Sequence, residues 1–535
     1  MHEALDRAAV GDEIWVAAGE YELDPALGRT ATFLVTSGIA VYGGFEGDEE
    51  TFLDRPSDPL ANPTVLSGRN LGPYHVVTLS GTIGPTTVLD GLEIIAGNAD
   101  GHALMNQDVG GGIYGPDAAP TLRGLRIDRC EASTRGGGVF LQRVSGGPVA
   151  VIEDCTFTRC EADEGGGAYL AVDVQMAGTE FRDNTAAMRG GGLMIGGGGF
   201  ALLDDCLFAQ NEATGVFGGG LYADTVGTGA VIEIDRSVFD QNASFFAGGG
   251  AYFEGEGGVF VRGSRLSRNT LAGSNSGPGG GGNAFSLGAG SSARIENCLV
   301  AGNVTQQSGA GISINGDQDA FVVNTTVTGN DSAGFVAGIS LGGNAVVAVE
   351  NTVVWNNVSQ QGPLRRTTSI GTSANAAVEV NRSLVEFWFG QPGPLAGTGT
   401  TDADPMFVNA LGPDFMFGTD DDDVRPMPGS PVIDAGNNAA VSPFGSFDYY
   451  FENRFRDDTG TPDTGLGSGS IVDIGAAEFQ GTTVPSCTAD TNGDGALTPG
   501  DFNAWVIVFN ANAPACDQNG DGQRTPGDFN AWILN

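Results

Sequence analysis

Runs of glycine return along this chain too regularly for a linker and too often for a ligand loop. They fall at 110–112, 136–138, 165–167, 190–192, 218–220, 248–250 and 279–282, with weaker echoes at Gly309, Gly311 and Gly338. An interval of about 25 to 31 residues is the mark of a stacked array, in which each unit buries its apolar face only against its neighbours. A phosphate-cradling loop is excluded because no GK[ST] follows any run. Glycine supplies 88 of 535 residues, about twice the ~7% of ordinary proteins. The unusual material here is backbone.

Aligning the units turns the interval into geometry. With Cys130, Cys160, Asn184, Asn211, Asn242, Asn269, Asn303, Asn330 and Asn357 taken as equivalent, three positions earlier stand Ile127, Phe157, Phe181, Phe208, Phe239, Leu266, Val300, Val327 and Val354. Eight earlier stand Leu122, Ile152, Met176, Leu203, Ile234, Val261, Ile295, Val322 and Val349, again all apolar. Five earlier the residues are mostly small, among them Cys155, Thr179, Cys206, Ser237, Ser264 and Cys298. Six earlier lie Gly124, Asp154, Gly178, Asp205, Arg236, Gly263, Asn297, Asn324 and Asn351, mostly types that tolerate a left-handed bend. Positions three and five back share one strand face, and the bend resets the phase so that position eight also points inward. A tenth unit fits through Val380, Arg382, Ser383 and Val385. Each unit is one coil, and coils stacked about 4.8 Å apart pair strand on strand in parallel. The predicted fold is all-β, a right-handed parallel β-helix of about ten rungs with a small α-helical module at the C-terminus. A β-propeller would need blades of about 40 residues.

The stack implies a buried ladder of asparagine amides, each residue in a left-handed turn. Its first two rungs hold Cys130 and Cys160, whose Cα atoms would stand inside the disulfide window, so these two are expected to bridge. Cys155, Cys206 and Cys298, on non-adjacent rungs, are expected to be buried thiols. Residues 1–70 read as an N-terminal cap with first strands, 71–400 as the β-helix, and 401–480 as a C-terminal cap. Arg135, Glu164 and Arg189 on successive rungs predict a surface ion ladder. The acidic run Asp420 to Asp423 is expected to be a solvated loop, with cation binding as the competing reading.

Beyond a linker at 480–486 the composition changes. Two copies of one unit appear, Asp490, Asn492, Asp494, Gly495, Ala496 and Asp501, then Asp517, Asn519, Asp521, Gly522, Gln523 and Asp528. Side-chain oxygens at loop positions 1, 3, 5 and 12, a carbonyl from Ala496 or Gln523 at position 7, and glycine at 6 are what Ca2+ requires. Thr498 with Pro499, and Thr525 with Pro526, start a helix after each loop. Cys487 and Cys516 precede the loops and are expected to bridge, since so small a unit needs both metal and crosslink.

Charge narrows the partners. There are 24 basic and 65 acidic residues, a net of −41, and lysine is wholly lacking. Nucleic-acid binding and lysine chemistry are excluded. No run long enough to span a membrane occurs. The chain opens MHEALDRAAVGDEIW, with charges where a leader would be apolar, and a truncated start is the expectation.

The duplicated DxNGDGxxTPxDFxAW units resemble dockerin-type modules that anchor secreted bacterial proteins, over 487–535. The coils, with GDEIWVAAGEY, VYGGFEG and LDGLEIIAGNADG, resemble bacterial right-handed β-helix repeat proteins. DPMFV, GSPVIDAGNN and DIGAAEF, within 404–479, are similar to the terminal domain that precedes surface anchors in those proteins. The resemblance implies an extracellular or cell-surface location, Ca2+ as cofactor, a monomeric chain, and a polysaccharide, cohesin-like or envelope partner. Two functions compete. One is non-catalytic binding of carbohydrate or a surface; the other is a polysaccharide lyase or glycoside hydrolase. No catalytic constellation repeats across rungs, so no catalytic residue is assigned; His102 with Asp100 and Asp108 comes nearest, and His2 and His75 sit in capping segments.

Overall fold

The computed structural model describes the chain except residues 144–146, 198, 227–228, 272, 274–283, 289, 317–318, 361–368, 373–374, 389–396 and 482–535. Three long parallel sheets run the length of the molecule, of 13, 12 and 13 strands, and a narrow fourth holds 10. One coil shows how the sequence closes on itself. Val174–Ala177 lies in the first sheet, and left-handed Gly178 turns the chain into Glu180–Arg182 of the third. Left-handed Asp183 turns it again into Thr185–Arg189 of the fourth; the glycine run follows, then Leu193–Ile195 of the second.

The inferred columns are the register of the sheets. Phe157, Phe181, Phe208 and Phe239 pair in sequence across the third sheet, wholly buried. Their rings stack at centroid distances of 4.6, 5.0 and 4.6 Å within 6° of parallel. All the residues six before the ladder take positive φ, Gly124 and Arg236 included. The left-handed turn of the ladder falls one residue earlier than expected, on Arg129, Asp183, Gln210, Gln241 and their equivalents. A non-glycine residue there costs about 1 to 2 kcal/mol, and the following asparagine offsets it by securing the peptide hydrogens. Asn184, Asn211, Asn242, Asn269, Asn303 and Asn330 each donate Nδ2 to the Oδ1 of the next asparagine at 2.8–3.0 Å. The same Oδ1 accepts the backbone N–H of the preceding rung, as Asn269 does from Asn242 at 3.0 Å.

Glycine is required by two separate causes in each run. Gly190 has φ +65°, whereas a Cβ on Gly191 would stand 2.4 Å from the carbonyl oxygen of Gly219 on the next coil. Backbones of successive coils approach too closely for any side chain.

Three expectations are corrected. The rungs number twelve to thirteen, because Tyr21, Leu66 and Ile94 extend the inward column ahead of Ile127. Residues 13–67 are therefore coils already, and the end is covered by the short helix His2–Arg7, with Leu5 buried and His2 stacked on Phe33 at 4.5 Å. Cys130 and Cys160 sit on consecutive coils but as free, fully buried thiols. In-register neighbours hold their Cβ atoms about 4.8 Å apart, beyond the 3.5–4.5 Å a disulfide takes, and each S–H turns instead toward a carbonyl, Asp128 at 3.6 Å and Thr158 at 3.4 Å. Cys155, Cys206 and Cys298 are buried thiols as expected, each pushed up to about 12 by desolvation. The pair Cys487 and Cys516 lies outside the described residues.

Residues 402–479 lie along the flank of the coils, where an end cap was expected. Leu299 and Ala301 of the third sheet pack on Val424, while Val353 and Leu384 pack on Val432, Ala435 and Ile474. Asn351 Nδ2 donates to the carbonyl of Asn437 at 3.0 Å and its Oδ1 accepts the Asn437 N–H at 2.7 Å. Glu296, fully buried, accepts from Ser442 N at 2.8 Å and pairs with Arg294 at 2.9 Å. Burial opposes its charge, but these donors hold its carboxyl below the usual range.

Two outcomes follow from these contacts. Asn242→Ala strands the Asn211 amide and the Phe208 carbonyl in the core and is expected to cost about 3 kcal/mol in urea unfolding, with Asn242→Cys milder because the first rungs already use cysteine. Glu296→Gln is expected to lower stability by about 2 kcal/mol at pH 7. A depressed folded pKa stabilises above the unfolded value and is lost as pH falls, so the gap between variant and wild-type melting temperatures should shrink below about pH 4.5.

Candidate functional site

Two residues after each of the first six glycine runs the chain sets an outward side chain on the second sheet: Tyr114, Phe140, Tyr169, Met194, Tyr222 and Tyr252. Because the strands are in register, the rings pile up outside the coil as the phenylalanines do within it. Centroids are 5.9 Å apart for Tyr114 and Phe140, 5.5 Å for Phe140 and Tyr169, and 5.5 Å for Tyr222 and Tyr252. His75 begins the pile 4.5 Å from Tyr114; burial pushes its pKa down. This column escaped the sequence reading, although the offset from the glycines marks it.

The border of that column carries the charges. Arg135 pairs with Glu164 at 3.2 Å and lies over the Tyr169 ring at 5.1 Å. The expected ladder stops there. Arg189 donates to the Tyr222 hydroxyl at 3.3 Å, and that hydroxyl donates to Glu254 at 2.7 Å. Stacking along the axis uses up the ring faces, so the column is a second, outer core whose polar edge faces solvent.

At its N-terminal end the column opens into a cavity of about 350 Å3 lined by Asn106, Asp108, Tyr114, Thr134, Arg135 and Phe140, among others. Asp108 accepts from the Thr134 hydroxyl at 3.1 Å. The cavity thus has an apolar floor and a rim holding a guanidinium, an amide, a hydroxyl and one carboxylate. His102 is not among its walls; its Nδ1 accepts the Leu104 N–H at 3.2 Å and closes the turn Ala103–Met105, while Asp100 pairs with Arg29 at 2.5 Å. The structure does not gather His102, Asp100 and Asp108 into one site.

The acidic run is tied into its loop. Asp420 pairs with Arg265 on the coil, Asp423 with Arg425 at 2.7 Å, and Asp421 and Asp422 accept from the Thr419 hydroxyl. Asp414, Asp421 and Asp422 do approach one another. The calcium ligands expected at Asp490, Asn492, Asp494, Ala496, Asp501, Asp517, Asn519, Asp521, Gln523 and Asp528 lie outside the described residues. No described helix is long and apolar enough to cross a membrane.

Comparison with known proteins supplies the hand of the coil. The family model described as the right handed beta helix region matches residues 112–275 and 171–362. The solenoid is a right-handed parallel β-helix. No curated protein matches the chain. Among solved structures, the β-helix is similar to a crystal structure of pectate lyase Pel9A at 12% identity, over 89% of this chain and 90% of that one, with a TM-score of 0.35. So loose a likeness carries nothing about chemistry.

Proposed function

We propose that this chain is an exported, cell-surface β-helix protein that binds polysaccharide without cleaving it, and that 487–535 is a dockerin-type, Ca2+-loaded anchoring module. The observation that carries the binding half is the cavity beside Arg135. Its rim offers the mixed donors and acceptors that hydroxyl-rich chains require, on a rigid scaffold. Hydrolysis by the usual route takes a pair of carboxylates across the bond, whereas this wall presents Asp108, already engaged by Thr134. The module reading rests on the two in-phase loops of hard oxygen donors, and a negative protein reaches an acidic polysaccharide only where Ca2+ bridges them. The competing reading is a polysaccharide lyase or glycoside hydrolase.

Incubation with pectin, alginate and neutral glycans separates the two. Binding by affinity electrophoresis with no unsaturated ends or new reducing sugar is the expected result; turnover would reverse the proposal. Arg135→Ala should weaken the retained glycan about tenfold with the melting temperature unchanged, since the Arg135 side chain is half exposed. For the anchoring half, chelation should unfold the isolated 487–535 module as seen by circular dichroism, and an unchanged spectrum would remove it.

A further inference from the structure

The flank domain buries more carboxyl groups than cations. Asp434, Asp473 and Glu478 are all within 1% of complete burial, and the single guanidinium among them is that of Arg454, also fully buried. Arg454 Nη1 stands 3.6 Å from Glu478 and donates to the carbonyl of Asp473 at 3.4 Å, Nη2 donates to the carbonyls of Gly475 and Ala476 at 3.0 and 2.6 Å, and Nε has no partner. Asp473 is satisfied by the N–H groups of Asp434 and Phe479, at 2.7 and 2.6 Å. Asp434 is not satisfied. Its Oδ2 accepts from Asp458 N at 3.3 Å, but its Oδ1 is sealed from water without any hydrogen-bond partner.

An orphaned carboxylate oxygen in the interior costs several kcal/mol, a cost that a bound cation would remove. The local backbone brings two more carboxylates there. The Asp434 carbonyl accepts the N–H groups of Thr464 and Gly465 at 2.9 and 3.0 Å, which holds Asp463 alongside, and the Asp458 contact holds Asp457. Carboxylate oxygens of Asp434, Asp457 and Asp463 lie within 4.8 Å of one another, one buried and two exposed. By contrast, the Asp420 to Asp423 loop meets its carboxylates with arginine, hydroxyl and backbone donors.

We infer that Asp434, Asp457 and Asp463 form a binding site for a hard divalent cation, Ca2+ by preference, which fastens the 454–466 loop to the buried 432–436 segment. Three carboxylates, with water completing the shell on the exposed side, give the all-oxygen set that Ca2+ accepts, and no nitrogen or sulfur that would favour zinc.

The site is separate from the C-terminal loops, and the test keeps them apart. In full-length chain carrying Asp490→Ala and Asp517→Ala to disable those loops, equilibrium dialysis against 45Ca2+ at about 1 mM, the range of extracellular calcium sites, is expected to find one ion per chain. Adding Asp457→Asn and Asp463→Asn, both at the surface, should remove it. An unchanged stoichiometry, or no bound ion before the second pair of substitutions, overturns the inference. Should the four-fold variant misfold, Asp463→Asn alone must weaken Ca2+ about tenfold, and unaltered affinity overturns it equally.

Discussion

Every other feature of this molecule depends on one constraint: each coil lies directly on the last, so a side chain meets its own kind along the axis. The Asn184 to Asn357 ladder expresses it most fully. An amide can donate to one neighbour and accept from another at the rung spacing. Buried, it satisfies the peptide hydrogens that the left-handed turns would otherwise strand. Phenylalanine piles, small inward residues and close-packed glycines are consequences of the same translation. So are the ion pairs that climb from rung to rung, such as Arg262 with Asp235 at 2.6 Å.

Strict translation also explains what was legible in the sequence. A period of one coil puts each column at a fixed offset, so the Phe157 and Leu122 columns and the bend at Gly124 could be read from spacing alone. The first rungs could not be counted because Asp24, Arg69 and Gly97 stand at their ladder positions, and no asparagine or cysteine marks the register. The thiol pair shows the limit of arguing from Cα spacing. Cys130 and Cys160 are neighbours, but translation alone keeps their Cβ atoms parallel and does not tilt them together. The site was harder still. The rim of the Arg135 cavity joins residues from several coils and the loop before Val109, and of these only Arg135, by its charge pattern, and Asp108, by its nearness to His102 in the sequence, had been singled out.

The flank domain obeys a different rule. Its contacts span some 150 residues, as between Arg294 and the carbonyl of Ala440, and nothing periodic announces them. Short turns and carboxylates hold it together, with Glu296, Asp448, Asp473 and Glu478 each serving as an acceptor for backbone N–H groups. That use of acid as internal scaffolding places several of the chain's carboxyl groups inside the molecule.

Register along the axis is the claim most open to direct measurement. The five cysteines of the coils are sealed in the core, so with Cys487→Ser and Cys516→Ser the chain accepts spin labels only where they are placed. Labels at Gln175→Cys and Phe321→Cys stand five rungs apart on the outer face of the first sheet, and Gln175→Cys with Glu379→Cys seven. Pulsed dipolar spectroscopy should return narrow distributions near about 24 Å and 34 Å, in the ratio of five to seven. Broad distributions, or separations that do not scale with rung number, would contradict the stack itself.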